Sequence, residues 1–212
     1  MSKIHICLNQ KYCYKCKEVV EINHLCYMKQ EPPNKKEDKF NGFIFFDYEA
    51  FVEKSVHVPN LIIAHKICIN CIDKLDMCKI SCQKICVDNN DTFCKWLFAQ
   101  EHFIALAHNA KGYDSVFINE WINENINNND CIPDFIRIGS KILRIKFRNV
   151  KIICSLSFLP MPLDKFSSTF DLVEMMKGFF PHLFNSRANQ NYVGKYAPKE
   201  DYQPKFMTLK KR

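Results

Sequence analysis

Two acidic residues, Asp47 and Glu49, stand two positions apart inside the apolar run FNGFIFFDYEAF at residues 40–51. The run is typical of a buried strand, on which side chains two positions apart emerge from the same face. Phe46 and Tyr48 then point to the opposite face. Two adjacent carboxylates are costly on an apolar strand unless a cation compensates their charge. Oxygen ligands favour magnesium or manganese, although the pattern also fits a strand end at which both acids face water.

A third acidic residue, Asp114, closes the segment HNAKGYD at residues 108–114, between an apolar strand and a helix. The dipole of a helix stabilises a carboxylate in its first turn, so Asp114 could serve only as the cap of that helix. The segment also contains side chains that the end of a nucleic acid requires. The Asn109 amide can hold a base or a sugar, and the Tyr113 ring can stack. Asp114 would then complete a metal site.

Cysteine is unusually frequent, with 12 in 212 residues. In a reducing compartment, closely spaced cysteines bind metal more often than they form disulfides. Cys13 and Cys16 are followed by His24 and Cys26, a set that can surround one zinc ion as a tetrahedron. Cys7 could replace one of these ligands, and the alternative is a flexible tail with free thiols. Zinc would give order to a segment that is too small to bury a core of its own.

A second cysteine-rich segment offers a four-sulfur zinc site. Its expected ligands are Cys68, Cys71, Cys82 and Cys86, with Cys78 as an alternate. The competing interpretation is a helix that carries the last three cysteines on one face as small apolar residues. The remaining cysteines lie in apolar surroundings, which predicts buried thiols at Cys94, Cys131 and Cys154.

The elements that must hold these side chains alternate between strand and helix, which predicts a mixed α/β sheet. Apolar periodicity distinguishes the two kinds of element, and Asp91 with Thr92 is the expected cap of the first helix. The predicted strands are residues 40–51, 103–107, 135–138, 142–147 and 150–156, and the predicted helices are residues 93–100 and 113–125.

Composition divides the chain into three regions. Residues 1–39 are the cysteine- and lysine-rich zinc-binding element and end in a linker that contains two prolines. Residues 40–185 form the main domain, which includes a cysteine-rich insertion at residues 68–94. Residues 186–212 are a basic, polar tail.

The overall composition is that of a globular protein, with 47% hydrophobic and 25% charged residues. No apolar run approaches the ~18 residues of a membrane span, and the first residues lack a secretory signal. We therefore expect no membrane partner and an intracellular or virus-associated location. A net charge of +7 is compatible with a polyanionic partner. A candidate stripe for a nucleic-acid backbone, or else a solvated sheet face, consists of Lys141, Arg144, Lys146, Arg148 and Lys151.

Four segments in a fixed order resemble the protein-primed family B DNA polymerases. FDYEAF and AHNAKGYDSVF, around Asp47 and Asp114, are similar to the first two motifs of the 3′–5′ exonuclease domain of family B enzymes. SLSFLPMPLDKFSSTF and KGFFPHLFN are typical of the protein-primed branch in viruses, linear plasmids and Maverick/Polinton-type elements. The resemblance implies an RNase H-like exonuclease domain at residues 40–185 that acts in DNA replication. It also implies single-stranded DNA and a terminal protein, which serves as primer, as partners.

The resemblance assigns roles to individual residues. Asp47, Glu49 and Asp114 match the ligands of a two-metal site, in which two magnesium or manganese ions ~4 Å apart support phosphodiester hydrolysis. Before a Ser-Leu pair the family usually has Asp, where this chain has Cys154. The positions that match contacts to single-stranded DNA are Asn109, Tyr113, Ser155 and Leu156.

The fourth metal ligand of the family belongs to a third motif, Tyr-x3-Asp, which we expect beyond this sequence together with the polymerase palm. Tyr192, Tyr196 and Tyr202 are the late tyrosines, and none is followed four residues later by Asp. Loss of one ligand of such a site costs orders of magnitude in rate. We therefore expect no polymerase activity and weak or no exonuclease activity from this chain alone. The alternatives are a decayed mobile-element remnant that only binds DNA and a zinc-stabilised protein-interaction module.

Overall fold

The computed structural model describes residues 9–25, 39–72, 74, 78, 81–127, 130–172 and 180–203. The chain divides into two compact units, Met1–Asp38 and Lys39–Arg212. In the first unit, strands β1 (Gln10–Cys13) and β2 (Glu18–Glu21) pair as an antiparallel hairpin. The turn between them contains the Cys13-x2-Cys16 pair and is closed by a hydrogen bond from the Lys17 amide to the Cys13 carbonyl, at 2.7 Å.

The second unit is built on a mixed sheet, which has seven strands in the described part of the chain. Their spatial order is β5-β4-β3-β6-β9-β8-β7. The three central strands run parallel, while the strands on both sides are antiparallel to their neighbours. The strands are β3 (Gly42–Glu53), β4 (Val56–Cys68), β5 (Gln83–Val87), β6 (Phe103–Ala107), β7 (Asp134–Ile138), β8 (Lys141–Phe147) and β9 (Val150–Cys154).

Two helices, α1 (Asn90–Phe98) and α2 (Asp114–Asn125), pack on one face of this sheet. The first helix begins three residues earlier than predicted, because Asn89 is its cap and accepts a hydrogen bond from the Thr92 amide at 2.8 Å. A short third helix, α3 (Phe166–Thr169), follows the sheet. Among the helices that the structure describes, none combines the length and apolarity that a bilayer crossing requires.

The core lies between the sheet and these two helices. Ile44, Phe46 and Tyr48 of β3 are at most 5% exposed, whereas Phe45 and Asp47 lie on the open face, as the alternation of a strand requires. The Tyr48 ring packs against Phe93 of α1 and Phe117 of α2, with centroids 5.3 Å away in both cases. This aromatic contact fixes the start of α2 against the carboxyl-terminal half of β3.

Candidate metal centre and nucleic-acid site

The structure brings the three predicted acidic ligands to one region of the sheet. Asp47 and Glu49 leave the open face of β3, and Asp114 is the first residue of α2. The Tyr48 amide, between the two acids of β3, donates a hydrogen bond to Asp114 Oδ1 at 3.2 Å. Strand β6 runs parallel to β3 and directs the chain into the turn that ends at Asp114. Asp114 is therefore held against the strand that carries its two partners.

Asp114 is 2% exposed, and its environment is strongly unfavourable for a negative charge. Burial, opposed by the amide of Asp114 itself and by that of Tyr48, raises the pKa of Asp114 to about 7. The negative charges of Asp47 and Glu49 contribute to this rise. The three carboxylates offer only oxygen ligands, so the donor set fits magnesium or manganese. They stand less close together than the ligand atoms of either cysteine cluster, which all lie within 4.8 Å of one another.

The turn after β6 carries two of the four candidate DNA-binding residues, Asn109 and Tyr113. Asn109 is exposed and adopts a left-handed backbone conformation with φ of 65°. The half-buried Tyr113 ring packs perpendicular to His57, with centroids 5.6 Å apart, and against Phe117 at 5.1 Å. Burial, and then the charges of Glu49 and the two aspartates, raise the pKa of Tyr113. The Tyr113 side chain therefore lies close enough to Asp47, Glu49 and Asp114, which we call the acidic centre, to be affected by their charges.

Ser155 and Leu156 occupy the neighbouring position, in a 3-10 turn directly after β9. Because β9 pairs with β6 in parallel, Ser155 reaches the turn after β6, and its Oγ lies 3.0 Å from His108 Nδ1. Leu156 packs against the edge of the core. Cys154, at the position where the family usually has Asp, is 1% exposed and forms part of that core. The residues predicted to contact DNA are thus gathered at the ends of two adjacent parallel strands.

Sequence reasoning missed one side chain of this centre, His182. Its Nδ1 lies 4.0 Å from Glu49 Oε2. The only signal in the sequence was its place in the KGFFPHLFN segment, which carried no assigned role.

The second cysteine cluster forms with one ligand different from the prediction. Cys68, Cys71, Cys78 and Cys82 have sulfur atoms that all lie within 4.8 Å of one another. Cys86 is not part of the cluster, because β5 turns its neighbours Ile85 and Val87 toward the core and leaves Cys86 exposed on the other side. The alternative of three cysteines on one helix face is wrong for the same reason, since Cys86 lies on a strand.

Backbone groups support the sulfur atoms of this cluster. The Cys68 amide points at Cys82 Sγ and the Cys78 amide at Cys71 Sγ, each at 3.4 Å. A hydrogen bond from the Ser81 backbone, and then contacts with the neighbouring thiols, lower the pKa of the Cys78 thiol to about 6, whereas contacts with the neighbouring thiols and burial raise the pKa of Cys68 to about 12. A thiolate is the form of cysteine that binds metal ions.

Three of the four predicted ligands of the first cluster also come together. Cys13, Cys16 and His24 have ligand atoms within 4.8 Å of one another, and Cys16 Sγ lies 3.5 Å from His24 Nε2. Cys26 and the alternative ligand Cys7 lie outside the described residues.

One further prediction, the burial of Cys131, is wrong. Cys94 and Cys154 are buried as expected, but Cys131 is exposed, and its sulfur accepts a hydrogen bond from the Arg148 amide at 3.1 Å. The basic residues of the β7–β8 hairpin are partly paired with acids. Arg148 forms two hydrogen bonds to Asp130, and Arg144 contacts Asp134. These two arginines therefore favour the solvated-face interpretation of the basic stripe.

Comparisons with known proteins identify the family. The family model described as DNA polymerase type B, organellar and viral, matches residues 94–212, which is more than half of the chain. No curated protein matches the sequence.

Among solved structures, the chain is similar to phi29 DNA polymerase in complex with primer-template DNA, with a TM-score of 0.54 and 17% identity over 77% of this chain. The complex of the same polymerase with single-stranded DNA gives a TM-score of 0.53 at 17% identity and the same coverage. The orthorhombic crystal form gives 0.51 at 18% identity, again over 77% of this chain. The chain spans 28% of the length of these polymerases. By its family match, the chain belongs to the organellar and viral type B DNA polymerases.

Proposed function

We propose that the unit beginning at Lys39 is an RNase H-like domain of the 3′–5′ exonuclease type, which binds single-stranded DNA and holds divalent cations for phosphodiester hydrolysis. The observation that carries this proposal is the hydrogen bond from the Tyr48 amide to Asp114, which docks the third acid beside Asp47 and Glu49. Three carboxylates in this arrangement repel one another, and a divalent cation relieves that repulsion. The likeness to a phi29 polymerase complex with single-stranded DNA supports the choice of ligand.

Each predicted residue has a defined task in this proposal. The three carboxylates hold magnesium or manganese, which when bound supplies an activated water and stabilises the leaving oxygen. The Tyr113 ring offers a surface on which the terminal base can stack, and the exposed Asn109 amide can hold that base or its sugar. Ser155 and Leu156 lie directly after β9, where Ser155 contacts the turn that carries Asn109 and Tyr113. The chain's own contribution is therefore to hold the DNA end beside the acids.

We expect the hydrolytic activity of this chain by itself to be weak or absent, since its sequence offers no Tyr-x3-Asp motif for the fourth ligand. The chain spans 28% of the matched polymerases. DNA synthesis, and the use of a terminal protein as primer, are accordingly proposed for a complete enzyme of this family and not for these residues alone.

Metal and DNA binding together test the proposal. Manganese affinity, measured by electron paramagnetic resonance, should fall at least ~10-fold in Asp47→Ala. It should stay unchanged in Glu124→Gln, which alters an exposed acid on α2. Binding of a labelled single-stranded oligonucleotide should be salt-dependent and stronger with manganese. Equal manganese affinity in Asp47→Ala and wild type, or robust oligonucleotide shortening that survives this change, would refute the site.

The same measurements separate the rival functions. A remnant that only binds DNA would show salt-dependent binding of the oligonucleotide without manganese binding at Asp47. A zinc-stabilised protein-interaction module would show neither.

We also propose that both cysteine clusters bind zinc. Tetrahedral zinc with Zn–S bonds of about 2.3 Å places its sulfur ligands about 3.8 Å apart. Cys78 Sγ lies 3.7 Å from both Cys68 Sγ and Cys82 Sγ, close to that separation and far longer than the ~2.05 Å of a disulfide. Cys68 and Cys71 are 8% and 5% exposed, so the cluster is also shielded from solvent.

Zinc analysis of purified protein by mass spectrometry tests this second proposal. We expect two zinc ions per chain in wild type, one in Cys78→Ser, and two in Cys86→Ser. Comparison of Cys78→Ser with Cys86→Ser distinguishes the cysteine cluster seen in the structure from the one predicted from spacing. Fewer than one zinc ion per chain in wild type would refute both sites.

A further inference from the structure

A β-bulge lies directly beside the acidic centre. In the ladder between β3 and β4, Glu49 pairs with Leu61 and the next residue, Ala50, pairs with Pro59. Asn60 is therefore the extra residue, opposite no residue of β3. Bulges are frequent next to active sites, where they redirect a side chain. Here the redirected side chain is a polar amide that is only 7% exposed.

The Asn60 side-chain amide forms hydrogen bonds to a distant segment, residues 180–190, which we call the strap. Its Nδ2 donates to Asn185 Oδ1 at 2.7 Å and to Gln190 Oε1 at 2.6 Å. In return, Asn185 Nδ2 donates to Asn60 Oδ1 at 3.2 Å, and Gln190 Nε2 donates to the Asn60 carbonyl at 2.9 Å. Both polar atoms of the buried Asn60 side chain are engaged, which specifies one docking position, because a shift of the strap leaves this buried amide unpaired.

A second anchor lies at the end of β3, where Arg187 donates to Glu53 at 2.8 Å. Between the start of the strap and these anchors lies His182, whose ring packs against Phe180 with centroids 5.2 Å apart. The strap thereby holds the imidazole over the open face of β3, with Nδ1 4.0 Å from Glu49 Oε2.

We propose that His182 is a positioning residue for Glu49 and that the Asn60 bulge exists to place it there. The inference rests on the proposed metal site. At 4.0 Å, a small rotation gives the imidazole a direct hydrogen bond to one Glu49 oxygen, which leaves the other oxygen directed at the cation. Groups that orient a metal ligand in this way typically contribute 10- to 100-fold to metal affinity. An exposed ion pair as such would contribute little.

Manganese affinity of the full chain, measured by electron paramagnetic resonance, tests the role of His182. We expect His182→Ala to bind manganese ~10-fold more weakly. We expect His182→Asn to stay within about threefold of wild type, because the asparagine amide can place a donor where Nδ1 stands. Leu183→Ala, at an exposed neighbouring position of the strap, is the matched control and should leave the affinity unchanged.

A double-mutant cycle tests the role of the bulge. Asn185→Ala should weaken manganese binding in the wild-type background, and it should add nothing in the His182→Ala background if the strap acts through this imidazole. Additive effects would overturn the role of the bulge. Equal affinity in His182→Ala and wild type, or equal losses in His182→Ala and His182→Asn, would overturn the role of His182. Wild type that binds no manganese would instead refute the proposed function itself.

Discussion

At the scale of the residue, Asp114 carries a cost in stability that the proposed metal site would explain. Its carboxylate is buried next to two other acids, and the hydrogen bonds from its own amide and from the Tyr48 amide only partly offset this burial. An ionised group in such a position destabilises the fold until a cation arrives. The role of a metal ligand explains this cost better than the role of a helix cap, because an exposed carboxylate could cap the helix without being buried.

Asp114→Asn should therefore stabilise the protein in buffer without added magnesium or manganese, because asparagine keeps the acceptor for the Tyr48 amide and removes the charge. The folded-state pKa of Asp114 is raised to about 7 from an ordinary value of 3.8. Wild-type stability should thus fall as pH rises from about 4 to about 7 and then level off. Urea unfolding should show a gain of up to about 4 kcal/mol for the variant near pH 8 and a smaller gain near pH 5. A variant less stable than wild type near pH 8 would contradict this account.

Tyr113 should contribute to DNA binding through its ring and not through its hydroxyl group. Stacking of a base on an aromatic ring is worth about 1–3 kcal/mol, so Tyr113→Ala should weaken single-stranded DNA binding ~10-fold. Tyr113→Phe should stay within about threefold, because the hydroxyl makes only a 3.5 Å contact with His57. Fluorescence anisotropy with a labelled oligonucleotide measures both. Equal losses in the two variants would assign the effect to the hydroxyl group.

At the scale of the element, apolar periodicity in the sequence predicted those strands and helices whose bounds depend on their own residues. Strand β6 was predicted with its observed bounds, and α2 to within one residue, because both have regular apolar periodicity. Strand β4 was missed, since Pro59 and Asn60 interrupt its alternation and its 13 residues are held by β3 and β5 on either side. Pairing across a sheet overrides weak local propensity in this way.

Gly42, at the start of β3, lies too close to the backbone of β4 to carry a side chain. Its φ is +155°, and an added Cβ would lie 2.1 Å from the Ile67 carbonyl oxygen, a backbone atom that cannot move aside. Gly42→Ala should lower the free energy of unfolding by about 3 kcal/mol or more. Because Gly42 pairs with Cys68, the variant should also retain less zinc.

Gly139→Ala is the control for this change. It has φ of +57° but no atom within 4 Å of an added Cβ, so it should cost about 1–2 kcal/mol and leave the zinc content unchanged. Equal destabilisation by the two substitutions, measured by urea unfolding, would show that the contact with β4 is unimportant.

At the scale of the whole molecule, the candidate site is assembled from segments that no local pattern connects. Residue types and spacing indicated Asp47, Glu49 and Asp114, and the resemblance assigned their roles. The parallel pairing of β6 with β9 explains why Ser155 lies beside the turn that leads to Asp114. His182 was missed because its position depends on amide contacts between residues 125 and 130 positions apart in the sequence. Cys86 was chosen over Cys78 because spacing alone cannot show which way a strand turns a sulfur.

The last prediction concerns the proposed metal sites of the two compact units, which we expect to be independent of one another. Cys16 belongs to the cluster in the unit Met1–Asp38, and Cys71 to the cluster in the unit that begins at Lys39. A unit with its own structural zinc unfolds when that zinc is lost. Cys16→Ser should therefore abolish amide-exchange protection in β1 and β2 while leaving protection of the seven-stranded sheet unchanged.

Cys71→Ser should have the reverse effect, with its largest losses in β4 and β5, the strands that flank the cysteine cluster. Hydrogen–deuterium exchange with mass spectrometry resolves both units in one experiment, and the zinc content of each variant gives a parallel count. Loss of sheet protection in Cys16→Ser would show that the first unit stabilises the second. In that case the manganese affinity of the acidic centre should also depend on the zinc bound near the N-terminus, which the same variant measures directly.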